Sequence, residues 1–174
     1  MESLKYTDEN DRCYGATGMA IGLVVYDGED MLASVSIDGD PDDMMQLSPD
    51  FYFAGNPGVS AKTAWNQIVK NYNLGMAMLI SNLLCRNLVN RRRALPSELH
   101  DLLHSLAMDE GKTSCSLDED EIDRLFDKNY NYLTRVFSHH GVQSVAHDFA
   151  AQLLSRRTLS RLDVLEQLAA LRML

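Results

Sequence analysis

The apolar residues of this chain change their spacing once, near residue 58, and that change limits the fold more than any motif does. Before it they come in short runs or alternate. Met19–Tyr26 is apolar almost throughout, as a strand covered on both faces is, and Asp27-Gly28 after it reads as a hairpin turn. Ala33, Val35 and Ile37 then alternate with Ser34, Ser36 and Asp38, the pattern of a strand with one wet face. Phe51-Tyr52-Phe53 is a short third strand, closed by Gly55-Asn-Pro-Gly58.

After residue 58 the period is that of a helix. Ser60 is placed to cap a long helix in which Trp65, Ile68, Tyr72, Met76, Leu79 and Leu83 recur at three- and four-residue steps. Val69, Ile80, Leu84 and Leu88 add a second stripe, so this helix is expected to be the hub of the core, with Gly75 as a kink or a point of close approach. A second helix starts at Pro96-Ser97 and stops at Gly111. Ser116-Leu-Asp-Glu119 reads as a capping box for a third, ending at Gly141. Val142, Val145, Phe149 and Leu153 mark a fourth helix, and Leu162, Leu165, Leu168 and Ala169 a fifth, capped by Ser160.

Strands first and helices second, without alternation, predict an α+β fold rather than a doubly wound sheet. The expectation is a small, mostly antiparallel N-terminal sheet of about three strands packed on a C-terminal bundle of about five helices. With 174 residues, 45% apolar and 24% charged, one domain suffices. A polar N-terminal segment covers 1–16. A single α+β domain covers 17–174, with 17–58 its β-rich acidic part and 59–174 its helical bundle.

Charge follows the same division. The first sixty residues hold twelve Asp or Glu against only Lys5 and Arg12, whereas the remainder holds thirteen acids against fourteen Lys or Arg. A net charge of −9 disfavours nucleic acid as a partner, the Arg91-Arg92-Arg93 triplet and the group Arg156, Arg157, Arg161 being the only contrary features. The polar, acidic start lacks the basic and apolar regions of a signal peptide, and the longest greasy stretch, Leu74–Cys85, is too short to span a bilayer. Cys13, Cys85 and Cys115 are odd in number and far apart, which points to reduced thiols and a cytoplasmic location.

Four segments carry candidate chemistry. Asp38-Gly-Asp-Pro-Asp-Asp43 opens like a calcium-binding EF-hand loop. It has Asp43 where the turn needs Gly and Pro49 where a bidentate Glu is required, so its Asp38, Asp40, Asp42 and Asp43 read as a partner-binding acidic surface. Gly55-Asn-Pro-Gly-Val-Ser-Ala-Lys62-Thr63 resembles the phosphate-binding loop of P-loop NTPases, which makes Gly55, Gly58, Lys62 and Thr63 candidate cofactor-binding residues. Ser60-Ala61 stands where a single Gly precedes the Lys in that family, and one extra helical residue turns Lys62 by about 100°. The spacing His100-Asp-Leu-Leu-His104 resembles the zinc-binding His-Glu-x-x-His of zincins, with a shorter acid and no fixed third ligand. Cys115, just before the predicted capping box, sits where a helix N-terminus lowers a thiol's pKa.

None of these is an intact catalytic constellation. The chain is expected to be a non-enzymatic protein-interaction or assembly module with an acidic surface on its β-rich half, without cofactor. It acts on a protein partner or on itself, with a homodimer paired through its opposed charge halves. The alternative is a phosphate- or nucleotide-binding or divalent-metal-binding protein or enzyme using the Gly55–Thr63 loop or the acidic loop.

Overall fold

The computed structural model describes residues 4–52 and 61–174. Its first element is a helix, α1 (Glu9–Val25). The Asp8 carboxylate caps it by accepting the Asp11 N–H, and Glu9 and Asp11 place negative charge in the first turn, where the helix dipole favours it. The expected strand at Met19–Tyr26 is therefore corrected: the segment is the second half of α1 together with its C-cap, Tyr26. Because this helix is buried on nearly every side, no polar face remains to display the 3.6-residue period. Asp27-Gly28 closes the helix instead of turning a hairpin. Asp27 adopts φ 55° and its N–H donates to the Val24 carbonyl, while the Gly28 N–H donates to that of Leu23.

Strand β1 (Leu32–Ser36) lies where alternation placed it and forms the centre of a three-stranded antiparallel sheet, β2-β1-β3. β2 is Met45–Leu47 and β3 is Thr158–Ser160. The third strand thus comes from the far end of the chain. Phe51 and Tyr52, expected in a strand, belong to the short helix α2 (Pro49–Tyr52). A register irregularity between Leu32 and Ser34 moves Ala33 out to solvent and Leu32 into the core, against the expected alternation. Val35 lies between Met45 and Leu159 on the buried face.

Helix α3 (Ala61–Leu84) packs against α1, α4 (Ser97–Cys115) and α5 (Glu119–Ser138), so it is the hub that its two stripes imply. Its buried part lies later than expected: Trp65 is 41% exposed, whereas Ala77, Ile80, Ser81, Leu83 and Leu84 are buried. The reason lies in α1. An added Cβ at Gly18 would strike the Ser81 carbonyl and come within 2.7 Å of the Cys85 Cβ, and one at Gly22 would strike the Ser81 side chain. Only glycine lets the two backbones approach this closely, and the approach draws the core toward residues 77–85.

The remaining helices follow the periodicity with shifted ends. α4 runs through Gly111, where an added Cβ would come within 2.8 Å of the Ile122 side chain and the Tyr72 hydroxyl, and stops where Ser116 adopts φ 50°. Ser116 therefore ends α4, and the capping box of α5 is formed by Asp118 and Glu121. Gly141 lies within α6 (His140–Arg156), capped by the His139 ring. Ser160 caps α7 (Arg161–Gln167) as expected, in a capping box with Asp163.

Candidate functional site

Beyond Leu84, α3 continues as a π-helix over Cys85–Asn90, a widened turn of the kind frequently associated with functional sites. It carries Arg86, the largest fully buried side chain among the described residues. Arg86 grips Asp11 of α1 with two bonds, Nε to Oδ1 at 3.0 Å and Nη2 to Oδ2 at 2.7 Å. The side chains are 2% and 1% exposed. Its remaining N–H groups donate to the Leu4 and Lys5 carbonyls and to Asn82 Oδ1, and the Tyr6 ring centroid lies 4.4 Å from the guanidinium carbon. Arg91 closes the cluster at 3.0 Å from Asp11. Burial pushes the Asp11 carboxyl up, but bonds from Arg86 and the Thr7 N–H, with the charges of Arg86 and Arg91, outweigh it and hold the group below the usual carboxylate range.

This cluster divides the arginine triplet. Arg91 turns inward to Asp11, while Arg92 and Arg93 face a cleft of about 670 Å³ between the turn after the π-helix and α6. Arg92 adopts φ 52°, a strained conformation for a side-chain-bearing residue. Arg93 is fixed by a bond from its Nε to Asn87 Oδ1 at 3.3 Å and by its own N–H to the Asn87 carbonyl. The opposite wall is one face of α6: His140, Gln143, Ser144 and His147. His147 Nδ1 is held 2.6 Å from the Tyr14 hydroxyl, with the two rings edge to face. Leu88, Val89 and Ala94 supply the apolar lining.

The acidic loop lies elsewhere, beside the sheet. Asp38 is bonded at 2.6 Å to Arg157, which also grips Glu9 at 2.7 Å. Arg157 binds both carboxylates from the end of α6, and these bonds raise its own pKa. Asp40 accepts the Asp42 N–H at 3.0 Å, capping a single 3-10 turn over Pro41–Asp43. Arg12 donates to the Gly39 carbonyl and Gln46 to that of Asp43, so the loop is fastened at both ends. Other front-half acids also meet back-half arginines: Asp30 pairs with Arg161, and Glu29 with Arg172. Among the described residues no cation pairs with Asp40, Asp42 or Asp43, all three exposed. The opposed charge halves thus meet within one chain.

Of the phosphate-loop candidates, Gly55 and Gly58 fall outside the described residues, as does Ser60. Lys62 and Thr63 occupy the exposed first turn of α3. His100 and His104 turn onto α5, where both rings stand edge-on to Phe126, at 5.4 and 5.0 Å between centroids. His104 Nε2 lies 2.6 Å from Asp123. The described residues hold no group of three or more His, Cys, Asp or Glu side chains arranged for a metal. Cys115 ends α4 rather than beginning a helix, and burial raises its pKa. Burial raises those of Cys85 and Cys13 too, the latter to about 11. A second cleft of about 760 Å³ between α3 and α4 is lined mainly by apolar side chains and opens at Gly75. No helix among the described residues is long and apolar enough to cross a membrane.

Sequence reasoning missed the Asp11–Arg86 pair and the polar face of α6. Arg86 is the single charged residue between Lys70 and Arg91, in an otherwise apolar and amide-rich stretch, and a charge in such surroundings requires a buried partner. His140, Ser144 and His147 recur at helical spacing, which marks a shared face but not what it faces. No protein-family model matches this chain, and no curated protein or solved structure matches it either.

Proposed function

We propose that the chain is a non-enzymatic protein-interaction module that presents Asp40, Asp42 and Asp43 to a basic surface on another protein. The observation that carries this reading is the uneven neutralisation of the front-half acids. Glu9, Asp11, Glu29, Asp30 and Asp38 each face an arginine of the same chain, whereas Asp8, Asp27 and these three do not, and only these three are grouped in one loop. Fastening by Arg12, Gln46 and Arg157 presents the carboxylates in one arrangement, which lowers the ordering cost of binding. Because the opposed charges already pair internally, a different protein suits this surface better than a second copy. Three separate, buried thiols fit a reducing, cytoplasmic setting.

The test is capture from a native lysate, quantified by mass spectrometry, with wild type and the Asp40→Asn/Asp42→Asn/Asp43→Asn variant compared at one salt concentration. A partner depleted from the variant supports the reading. Identical sets on the two proteins reject it.

A further inference from the structure

We propose that the cleft between Arg92–Ala94 and α6 binds a small molecule carrying a phosphate group. This site is separate from the acidic loop. Asn10 bonds to Asn90 on one flank of α1, next to the arginine triplet, whereas Arg12 reaches Gly39 on another.

The lining combines two arginines, two histidines, a serine and a glutamine with no carboxylate, in a protein whose net charge is −9. Arginine matches phosphate oxygens with several N–H donors in a fixed plane. Two of these side chains, and the turn that carries the arginines, are held in place from outside the cleft. Asp11 draws Arg91 inward and so anchors the turn from which Arg92 and Arg93 project. Arg93 is tied through Nε to Asn87, and His147 through Nδ1 to Tyr14. Arg92 makes no hydrogen bond or ion pair with any described residue, and its backbone stays at φ 52° without a glycine. Strain of this kind persists where surrounding structure over-determines it, and it concentrates at ligand sites.

Size and shape specify the ligand class further. A volume of about 670 Å³ lies within the range of small-molecule pockets. Leu88, Val89 and Ala94 offer an apolar surface to the carbon portion beside the phosphate. The two arginines share one concavity whose lining holds no carboxylate, in a chain of net charge −9. A long polyanion reaching past the cleft meets that net negative charge, whereas a single phosphate ester held within it does not.

The proposal is tested by calorimetry with inorganic phosphate, AMP, adenosine and a short DNA duplex as probes, against wild type and Arg92→Gly. Glycine suits the backbone at this position, so the variant removes the guanidinium while keeping the fold, which circular dichroism checks. The expected result is that AMP binds wild type at millimolar concentration or below, and that adenosine does not. Arg92→Gly should weaken AMP at least about tenfold, the loss of a charged hydrogen-bonding partner. Binding of inorganic phosphate alongside AMP assigns recognition to the phosphate group itself; binding of AMP alone adds the apolar wall as a required contact. Equal binding of adenosine and AMP, tighter binding of the duplex than of AMP, equal AMP affinity of the two proteins, or no AMP binding to wild type would each overturn the proposal.

Discussion

Asp11 and Arg86 form the most deeply buried ion pair among the described residues. Both are almost wholly removed from solvent, and their bond is bidentate. Asp11→Asn leaves the guanidinium buried without its counter-charge, which costs about 3–5 kcal/mol. Replacing both partners by apolar residues of similar volume, as in Asp11→Leu/Arg86→Met, should recover most of that loss, and urea unfolding of wild type and the two variants checks it. The same pair sets an acid limit. The folded pKa of Asp11 lies below its ordinary value of 3.8, so its contribution to stability is complete well above pH 3.8 and is lost as pH falls through the folded value. The midpoint in urea should therefore fall between pH 5 and pH 3 in wild type, and the fall should be shallower in Asp11→Asn. Nothing in the acidic leader distinguishes Asp11 from Asp8 or Glu9, because a carboxylate's burial depends on a partner 75 positions away.

At the scale of elements, the contact between α1 and α3 depends on glycine. Gly18→Ala places a methyl against the Ser81 carbonyl, part of a backbone that cannot yield as a side chain does. A loss of about 1–3 kcal/mol is expected from such overpacking, measurable by thermal unfolding. Gly75 is the opposite case: a Cβ there meets nothing within 4 Å. Gly75→Ala should stabilise the protein by about 0.5–1 kcal/mol, since alanine loses less backbone entropy in a helix interior. These two glycines show what the chain discloses about its elements. Helices with one dry face and one wet face, such as α5, are legible from spacing alone, as is β1. α1 is not, because wrapping by α3, α6 and the sheet removes the polar face that reveals its period. The recurrence of Gly15, Gly18 and Gly22 at helical spacing is a signal in the sequence, since small residues at that interval let helices approach closely. The ends of α4 and α5 shift for a related reason. Ser116 takes the left-handed conformation that closes one helix, so it is no longer available to cap the next.

Across the whole molecule, the last twenty residues fasten the first forty. β3 pairs with β1, the Ile37 N–H donates to the Arg157 carbonyl, and Arg157, Arg161 and Arg172 hold Glu9, Asp30, Asp38 and Glu29. The charge asymmetry visible along the chain is thus largely resolved inside it, and of the described front-half acids left without a cation, Asp40, Asp42 and Asp43 lie together in one loop, apart from Asp8 and Asp27. Composition announces the asymmetry but not its resolution, because pairing between residues more than a hundred positions apart leaves no local pattern. That closure within a single chain underlies both the exposed acidic loop and its separation from the cleft beside α6. Ser36 and Thr158 test it most directly: they are paired across β1 and β3, with their hydroxyl oxygens 2.8 Å apart. Cysteines at such paired positions lie within reach of a disulfide, and the three native thiols are buried and poorly reactive. Oxidised Ser36→Cys/Thr158→Cys protein should run as a monomer on non-reducing gels, with a peptide joining residues 36 and 158 of one chain. A covalent dimer, or free thiols at both positions after oxidation, would contradict the account.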